Sequence, residues 1–259
     1  KDLVDRVMAR AAVTIENANL YSAVQAADRA KSEFVGVVAH DLKAPMNNIA
    51  GYADLMLYQG ELAEQHTEYL NRIKDTVKRM EMLVSDLADI SRIESGHFFM
   101  EETVVPVGFI VKSVQESNLQ DMQDRNHEFI IDAEPGLPDM WVDFYRLLQI
   151  LTNLVNNACK YTPEGGTITL TVQRNPDDPD RIQFSVSDTG IGISAENIKM
   201  LGTKFWRSED KFTRAQQGTG LGFSITQHLV QQMGSQIEVE STVDEGSTFT
   251  FDVAIYGGN

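Results

Sequence analysis

Residues 153–161 read NLVNNACKY, and they close a helix that the apolar pattern predicts from Asp143 to Tyr161. Asn153 and Asn157 are four residues apart and share one helix face, with Lys160 close to that face. An amide oxygen is a hard, neutral ligand that suits Mg²⁺, and a lysine beside it can neutralise phosphate charge. Considered alone, the stretch is more simply explained as a surface face that carries several asparagines.

Two glycine-rich segments follow this helix. Asp188 ends a predicted strand, where its carboxylate can accept a hydrogen bond from the amino group of an adenine. Gly190 and Gly192 come directly after it and let a ligand approach the backbone closely. The segment Gly218-Thr-Gly-Leu-Gly222 opens a predicted helix, whose unpaired N–H groups and dipole favour an anion. A simple turn and a flexible hinge are the structural alternatives.

The stretch from 203 to 218 is polar and shows no periodicity. Such a length without secondary structure is more often a functional loop than a connection. It contains Phe205, Trp206 and Arg207, whose aromatic rings indicate a lid anchor, although core packing explains them equally well. The letters GIGISA at 190–195 match the dinucleotide-binding fingerprint literally, but the parallel βαβ unit that this fingerprint requires does not follow.

The N-terminal part of the chain predicts two long helices, residues 1–58 and 62–94. Their apolar residues alternate in steps of four and three, which is the spacing of a coiled-coil seam. Because one hairpin buries too little core, we expect two hairpins to pair as a four-helix bundle in a homodimer. Packing of the hairpin against the rest of the chain is the alternative. The seam residues are Val13, Asn17, Leu20, Val24, Ala27, Lys31, Phe34 and Val38 in the first helix, and Leu70, Ile73, Val77, Met80, Val84 and Leu87 in the second.

His40 follows the seam residue Val38 by two positions, which directs its ring toward solvent. An unprotonated imidazole nitrogen is a good phosphoryl acceptor, and the adjacent Asp41 can hold the proton of the other nitrogen. Taken alone, a histidine beside an aspartate on a helix surface is nearly always an ordinary solvated face.

The composition excludes several classes of protein. A net charge of -16 argues against nucleic-acid binding, which needs a basic surface. The single cysteine, Cys159, allows no internal disulfide and favours a cytoplasmic location. No apolar run approaches the ~18 residues that span a bilayer, so we expect no membrane contact in this stretch. The chain begins with Lys1 rather than Met, which indicates a fragment of a longer protein.

Taken together and in this order, the segments resemble those of the sensor histidine kinases of two-component systems. The resemblance covers residues 30–255. The matching segments are the phosphoacceptor box from His40 to Pro45, the asparagine box from Asn153 to Tyr161, the first glycine box from Asp188 to Gly192, the phenylalanine box Phe205-Trp206-Arg207, and the second glycine box Gly218, Thr219, Gly220, Leu221 and Gly222.

The resemblance implies an α+β architecture. An N-terminal coiled coil and helical hairpin form a dimeric four-helix bundle, and a C-terminal α/β sandwich of the Bergerat type binds ATP. The predicted domains are a signalling helix over 1–30, a dimerisation and phosphotransfer hairpin over 31–96, and a catalytic domain over 101–259. Ala11 to Tyr21 also resembles the last helix of a GAF-type sensor domain, which places a sensor upstream.

The same resemblance implies roles for individual residues in ATP binding. Asn157 coordinates Mg²⁺ with Asn153 beside it, and Lys160 touches phosphate. The base lies against Tyr161, and Asp188 binds its amine with the glycines Gly190 and Gly192 close by. The phosphates are reached by Arg207 when the loop carrying Phe205 closes, and Thr248 supports the adenine end.

The resemblance also implies the reaction. His40, assisted by Asp41, takes the γ-phosphoryl group of ATP and passes it to an aspartate of a response regulator receiver domain. The fourth residue after the histidine is often Thr or Asn in this family and is thought to position water for dephosphorylating the regulator. Here it is Ala44, so we expect weak phosphatase activity.

Two other classes of function share parts of this pattern. Nucleotide-driven clamps of the same fold hydrolyse ATP with a glutamate near the asparagine box, where this chain has Gln149, a poor general base. A signalling scaffold without catalysis keeps the fold only, and the intact His, Asn, Asp and Gly boxes argue against it.

Overall fold

The computed structural model of the protein describes residues 10, 14, 24, 35, 39, 42, 43, 45–58, 64–95, 98–204, 206–208 and 220–257. It divides the chain into two compact units, Lys1–Phe98 and Phe99–Asn259. Among these described residues, no helix combines the length and the apolar character that a membrane crossing needs.

The first unit is a helical hairpin. Helix α1 is described over residues 45–58, and the described positions before it are also helical. Helix α2 spans Glu64–Glu94, in agreement with the helix predicted over 62–94. The two helices bury a small core in which Ala39 and Met46 pack against Val77 and Val84.

The seam predicted for the second helix divides into two rows with different surroundings. Leu70, Val77 and Val84 are buried, whereas Ile73, Met80 and Leu87 stay between 41% and 43% exposed. Within each row the residues are seven apart, so each row follows its own line along the helix. The first helix has a corresponding row with the same spacing, which consists of Leu42, Ile49 and Met56 and is 41% to 51% exposed.

The second unit is an α/β sandwich, as predicted. Its main sheet has the strand order β2-β4-β5-β7-β6, in which only the β2–β4 pair is parallel. Strands β1 and β3 form a separate antiparallel pair. The strands are β1 Thr103–Val105, β2 Glu128–Ala133, β3 Met140–Val142, β4 Thr167–Arg174, β5 Arg181–Asp188, β6 Glu238–Thr242 and β7 Gly246–Ala254.

Four helices complete this unit in the part of the chain that the structure describes. They are α3 Val107–Asp124, α4 Phe144–Tyr161, the short α5 Ala195–Ile198 and α6 Gly222–Gln232. Helix α4 packs between α3 and α6 and lies against β4 and β5. Alternate strand residues such as Leu170, Phe184 and Phe251 are buried on the core face, and the opposite face is polar. The helices therefore lie on one face of a mixed sheet, as an α/β sandwich requires.

Helix α4 begins one residue after the predicted start, because Asp143 is its capping residue. The Asp143 carboxylate accepts a hydrogen bond from the backbone N–H of Arg146 at 3.2 Å, which satisfies one of the unpaired donors of the first turn. The residues of its apolar pattern are all buried: Leu147, Ile150, Leu151, Leu154 and Val155.

Helix α3 is a structural element that the sequence analysis did not predict. Pro106 precedes it without a capping side chain, and Gly108 weakens its first turn. Its inward row is interrupted by Asn118, which is buried because its amide donates to the carbonyl of Val114 at 2.7 Å. A polar residue in the apolar row hides the 3.6-residue period.

We expect loss of the Arg181 side chain to destabilise the second unit. Its guanidinium is largely buried, pairs with Asp252 at 2.7 Å and donates to the carbonyl of Met233 at 3.2 Å. R181A leaves the Asp252 carboxylate without its cation, which should lower the free energy of unfolding by about 1–3 kcal/mol. Urea unfolding followed by tryptophan fluorescence measures this, because Trp141 and Trp206 both lie in the second unit.

The matched control for R181A is K112A. Lys112 and Glu116 form an exposed pair at 3.7 Å on α3, and such pairs contribute at most ~1 kcal/mol. Equal losses in the two variants would contradict the structural role assigned to Arg181.

Candidate functional site

The end of helix α4 is the first component of the candidate site. Its last turn carries Lys160 and Tyr161, and its final carbonyls are capped from the segment between α3 and strand β2. Arg125 donates to the carbonyls of Cys159 and Lys160 at 3.4 and 3.5 Å, and the His127 ring donates to the Cys159 carbonyl at 3.1 Å. Positive and polar donors at this end complement the helix dipole and hold the last turn in place.

The loop after strand β5 lies directly against that helix end. The backbone N–H of Ile191 donates to the Tyr161 carbonyl at 3.1 Å. A Cβ atom on Gly190 would come within 2.5 Å of the same carbonyl oxygen, so only glycine allows this approach. The first glycine segment and the asparagine stretch, which are far apart in sequence, therefore meet in space.

The second glycine segment meets helix α4 about two turns earlier, at Asn153. A Cβ on Gly222 would lie 2.8 Å from the side-chain oxygen of Asn153. The Asn153 amide donates to the hydroxyl of the buried Thr226 on α6 at 2.6 Å. Asn153 thus ties α4 to α6 and backs the glycine turn, so part of its hydrogen-bonding capacity is used within the protein. No side chain caps the first turn of α6.

Asp188 is the partly buried carboxylate of the site. One of its oxygens accepts the backbone N–H of Gly190 at 2.8 Å. Burial raises the pKa of Asp188 above the usual aspartate value, and hydrogen bonds from the backbone N–H groups of Gly190 and Ser247 oppose this rise. An ionised carboxylate held in a largely buried position is a strong acceptor for a ligand N–H group.

Basic side chains gather near the end of α4. Burial lowers the pKa of Lys160; the Asp121 carboxylate opposes this, and Arg125 and Arg207 add to it. Arg207 therefore lies within electrostatic range of Lys160, although 46 positions separate them in the chain. Two cations in this proximity favour a polyanionic ligand.

Most of the predicted site residues that the structure describes come from three segments: helix α4, the loop after β5 and the start of α6. Helix α4 carries Asn153, Asn157, Lys160 and Tyr161; Tyr161 contacts the loop that holds Asp188, Gly190 and Gly192, and Asn153 contacts the segment Gly220, Leu221 and Gly222 at its last residue. His40, Asp41, Phe205, Gly218 and Thr219 lie outside the described residues.

Thr248 lies on the face of the sheet opposite to that of Asp188. It pairs with Ser187, and their hydroxyls share a hydrogen bond of 2.9 Å on the polar face of the sheet. Asp188 pairs instead with Ser247, which is buried on the core face. The residue beside the carboxylate is therefore Ser247; strand alternation indicates its face, and the register of β7 places it next to Asp188.

Fold and site together define a nucleotide-binding α/β sandwich preceded by a helical hairpin. Residues 142–256 match the family described as "Histidine kinase-, DNA gyrase B-, and HSP90-like ATPase", and residues 30–96 match the "His Kinase A (phospho-acceptor) domain". The chain belongs to the sensor histidine kinases, and its second unit is their ATP-binding domain.

Individual relatives agree with this assignment. The chain is 35% identical over 263 residues to the circadian input-output histidine kinase CikA of Synechococcus elongatus, covering 96% of the chain and 33% of the relative. It is 34% identical over 232 residues to the signal transduction histidine-protein kinase BarA of Escherichia coli K12, covering 88% and 25%. The chain thus spans a quarter to a third of the length of these relatives.

A solved structure extends the comparison to the fold. Full-length ShkA in complex with AMPPNP superposes with a TM-score of 0.69 at 26% identity, covering 86% of this chain and 46% of ShkA.

Proposed function

We propose that this chain is an ATP-dependent protein-histidine autokinase that phosphorylates its own His40 and passes the phosphoryl group to an aspartate of a response regulator. The observation that carries the proposal is the meeting of both glycine segments with one helix, through Tyr161 and Ile191 on one side and Asn153 and Gly222 on the other. This arrangement gathers a partly buried carboxylate, asparagine amides and cations around the second half of helix α4.

The base of ATP lies at the Asp188 end of the site. The ionised carboxylate accepts a hydrogen bond from the adenine amine, and Tyr161 lies at the adjoining helix end. Gly190 and Gly192 keep the loop free of side chains where the purine approaches.

The phosphates lie toward Lys160, Arg207 and the turn that ends at Gly222. Arg207 and Phe205 belong to the loop predicted as a lid, and Thr219 and Gly218 to the turn. Backbone N–H groups at the start of α6 and the two cations together balance phosphate charge.

Mg²⁺ fits the donor chemistry at Asn157. Among the described residues, no group of three or more His, Cys, Asp or Glu side chains lies together in a way that could hold a metal ion. Mg²⁺ usually keeps several waters and binds one or two protein oxygens together with substrate phosphates, which suits a single amide oxygen. When bound, the ion would offset the charge of the phosphates; Asn157 would hold it, beside Asn153.

His40 supplies the nucleophile. One imidazole nitrogen attacks the γ-phosphorus in line, the bond from that phosphorus to the bridging oxygen breaks, and ADP leaves. Asp41 accepts a hydrogen bond from the N–H of the other ring nitrogen, a contribution of about 10²–10⁴-fold in rate. The phosphohistidine then transfers the group to the regulator aspartate.

The active form is a homodimer in this proposal. The exposed apolar rows of the hairpin, Leu42, Ile49 and Met56 on one helix and Ile73, Met80 and Leu87 on the other, support it. Pairing two hairpins along these rows removes them from water and completes a four-helix bundle. In a structure of a relative, the histidine kinase ThkA is in complex with the response regulator protein TrrA. A receiver domain of that kind is the proposed partner, and a sensor domain the proposed upstream neighbour.

Incubation with γ-labelled ATP and magnesium tests the function. The label should enter the protein in a bond that acid cleaves and alkali leaves intact, as expected for phosphohistidine. Steady ATP hydrolysis without labelled protein would favour a nucleotide-driven clamp and would overturn the proposal.

We expect N157A to slow autophosphorylation by about 10–10²-fold, because it removes an oxygen ligand from a charged group. The affinity for ADP should also lose its dependence on magnesium concentration, which calorimetry at graded magnesium measures. N156A is the matched control, since Asn156 sits on the same helix but about 100° away around it. Equal magnesium dependence in the two variants would contradict the role of Asn157.

We expect A44T to gain phosphatase activity toward the phosphorylated regulator, by about tenfold or more, because its hydroxyl can position the attacking water. Release of phosphate from a labelled receiver domain measures the gain. A44V has the same branched shape without the hydroxyl, so it should remain as weak as the unmodified chain. High phosphatase activity in the unmodified chain would contradict the role assigned to the side chain at position 44.

A further inference from the structure

The loop that carries the base-binding residues is held from two sides. Helix α4 holds it through the Tyr161 carbonyl, as described above. On the other side lies the hairpin of β6 and β7, whose Asp244 backbone N–H donates to the Ile191 carbonyl at 2.9 Å. The hairpin also contributes one side-chain bond, from the backbone N–H of Ile193 to the hydroxyl of Ser241 at 2.7 Å.

The Ser241 hydroxyl makes every hydrogen bond that it can. It donates to the Gly246 carbonyl at 2.8 Å, so its only hydrogen is used there. It must therefore accept from Ile193 and from the Ser247 hydroxyl, which lies 2.9 Å away. One small side chain thus joins the loop, the hairpin turn and the strand beside Asp188.

The strand register places this hydroxyl in line with the carboxylate. Ser241 pairs with Ser247 across β6 and β7, and Ser247 pairs with Asp188 across β7 and β5. Residues paired in this way lie on the same face of a sheet, so the three polar side chains form one row on the core face. The row begins at the sheet edge and ends at the residue proposed to recognise the base.

The loop and the hairpin turn are in direct backbone contact. A Cβ atom on Gly192, whose φ is +64°, would overlap the Thr242 carbonyl oxygen. A Cβ on Gly246, whose φ is +123°, would overlap the Asp188 carbonyl oxygen. The two backbones approach so closely that both positions require glycine. A small shift of the hairpin turn would therefore displace the loop.

We propose that Ser241 is a positioning residue for recognition of the nucleotide base. It acts through the 189–193 loop and Ser247, which fix the Asp188 carboxylate, and it does not touch the nucleotide itself. The inference rests on the proposed ATP-binding function and deepens it, because it assigns part of the preference for adenine to a strand at the edge of the sheet.

The test compares S241T with S241V. The two substituted side chains have the same branched shape, both suit a strand, and only the threonine keeps the hydroxyl. Binding of ADP and of inosine diphosphate is measured by competition with trinitrophenyl-ATP in the full chain. Inosine diphosphate carries an oxygen where ADP carries the amine, so the ratio of the two affinities reports on the Asp188 contact.

We expect S241V to bind ADP about tenfold more weakly and to lower the ADP-to-IDP affinity ratio by a similar factor. S241T should stay within about twofold of the unmodified chain. Hydrogen exchange in a peptide covering 189–194 should be faster in S241V only, since the Ile193 N–H has lost its acceptor. S185A is the matched control, because it removes a comparable hydroxyl pair, Ser185 with Thr250 at 2.9 Å, on the polar face.

The possible outcomes separate the two proposals. If the unmodified chain does not bind ADP, the proposed function fails and this inference fails with it. If it binds ADP but S241V matches S241T, or if S241V weakens ADP and IDP equally, only the role of Ser241 is overturned.

Discussion

H40Q is expected to abolish incorporation of label from γ-labelled ATP while leaving ADP affinity unchanged. Glutamine keeps polarity at the position but has no nitrogen lone pair able to attack phosphorus, so the reaction loses its acceptor. Incorporation should fall to the background of the assay. Gel autoradiography measures the label, and calorimetry with ADP measures binding.

His66 supplies the control for this substitution. It is an exposed histidine on helix α2 of the same hairpin, so H66Q makes the same chemical change on the same unit. We expect H66Q to incorporate label at the rate of the unmodified chain. Acid-labile label that persists in H40Q would show that the acceptor has been assigned to the wrong residue.

D188N is expected to weaken ADP binding by about 10²-fold, equivalent to about 3 kcal/mol. The asparagine oxygen can still accept the Gly190 N–H, so the loop keeps its support. Its amide nitrogen then faces the adenine amine, and two donors oppose each other where the aspartate offered an acceptor. D180N makes the same change at an exposed carboxylate and should bind ADP normally.

The pH dependence of binding gives a second test of Asp188. Because burial raises its pKa, the carboxylate becomes protonated at a higher pH than an ordinary aspartate. ADP affinity should therefore fall as the pH is lowered through that raised value. D188N is the reference, since ionisation of the nucleotide affects both proteins equally, and parallel pH profiles for the two would exclude this role.

The same shift has a consequence of opposite sign for stability. A carboxyl group with a higher pKa in the folded state than in the unfolded state binds protons more tightly when folded. Its contribution to the free energy of unfolding is therefore largest below the unfolded pKa and declines as the pH rises through the folded value. Because the pKa of Asp188 is raised, protonation of its carboxyl group stabilises the folded state, whereas ligand binding requires the ionised carboxylate.

Local patterns in the sequence predicted much of the second unit. Helix α4 was predictable because Asp143 caps it and its apolar residues keep the 3.6-residue period from Leu147 onward. The hairpin of β4 and β5 was predictable because polar and apolar residues alternate on both strands. Helix α3 was missed because the buried Asn118 breaks its apolar row.

The candidate site was less predictable, because its contacts join distant segments. The side-chain bond from Asn153 to Thr226 crosses from one helix to another, and no local pattern records it. The placement of Ser247 rather than Thr248 beside Asp188 depends on the register of β7. For the hairpin, the heptad pattern predicted apolar positions but not which row each helix buries within one chain.

Asp143 links the path of the chain to helix α4. One carboxylate oxygen starts the helix at Arg146, and the other accepts the backbone N–H of Glu101 at 3.0 Å. Helix α4 has 18 residues, so it is roughly 27 Å long and ends at Tyr161. The segment that begins this unit is therefore hydrogen-bonded to the N-terminal end of the helix. A displacement of Glu101 would therefore act on the first turn of helix α4, and the last turn of the same helix carries the residues proposed to bind the nucleotide.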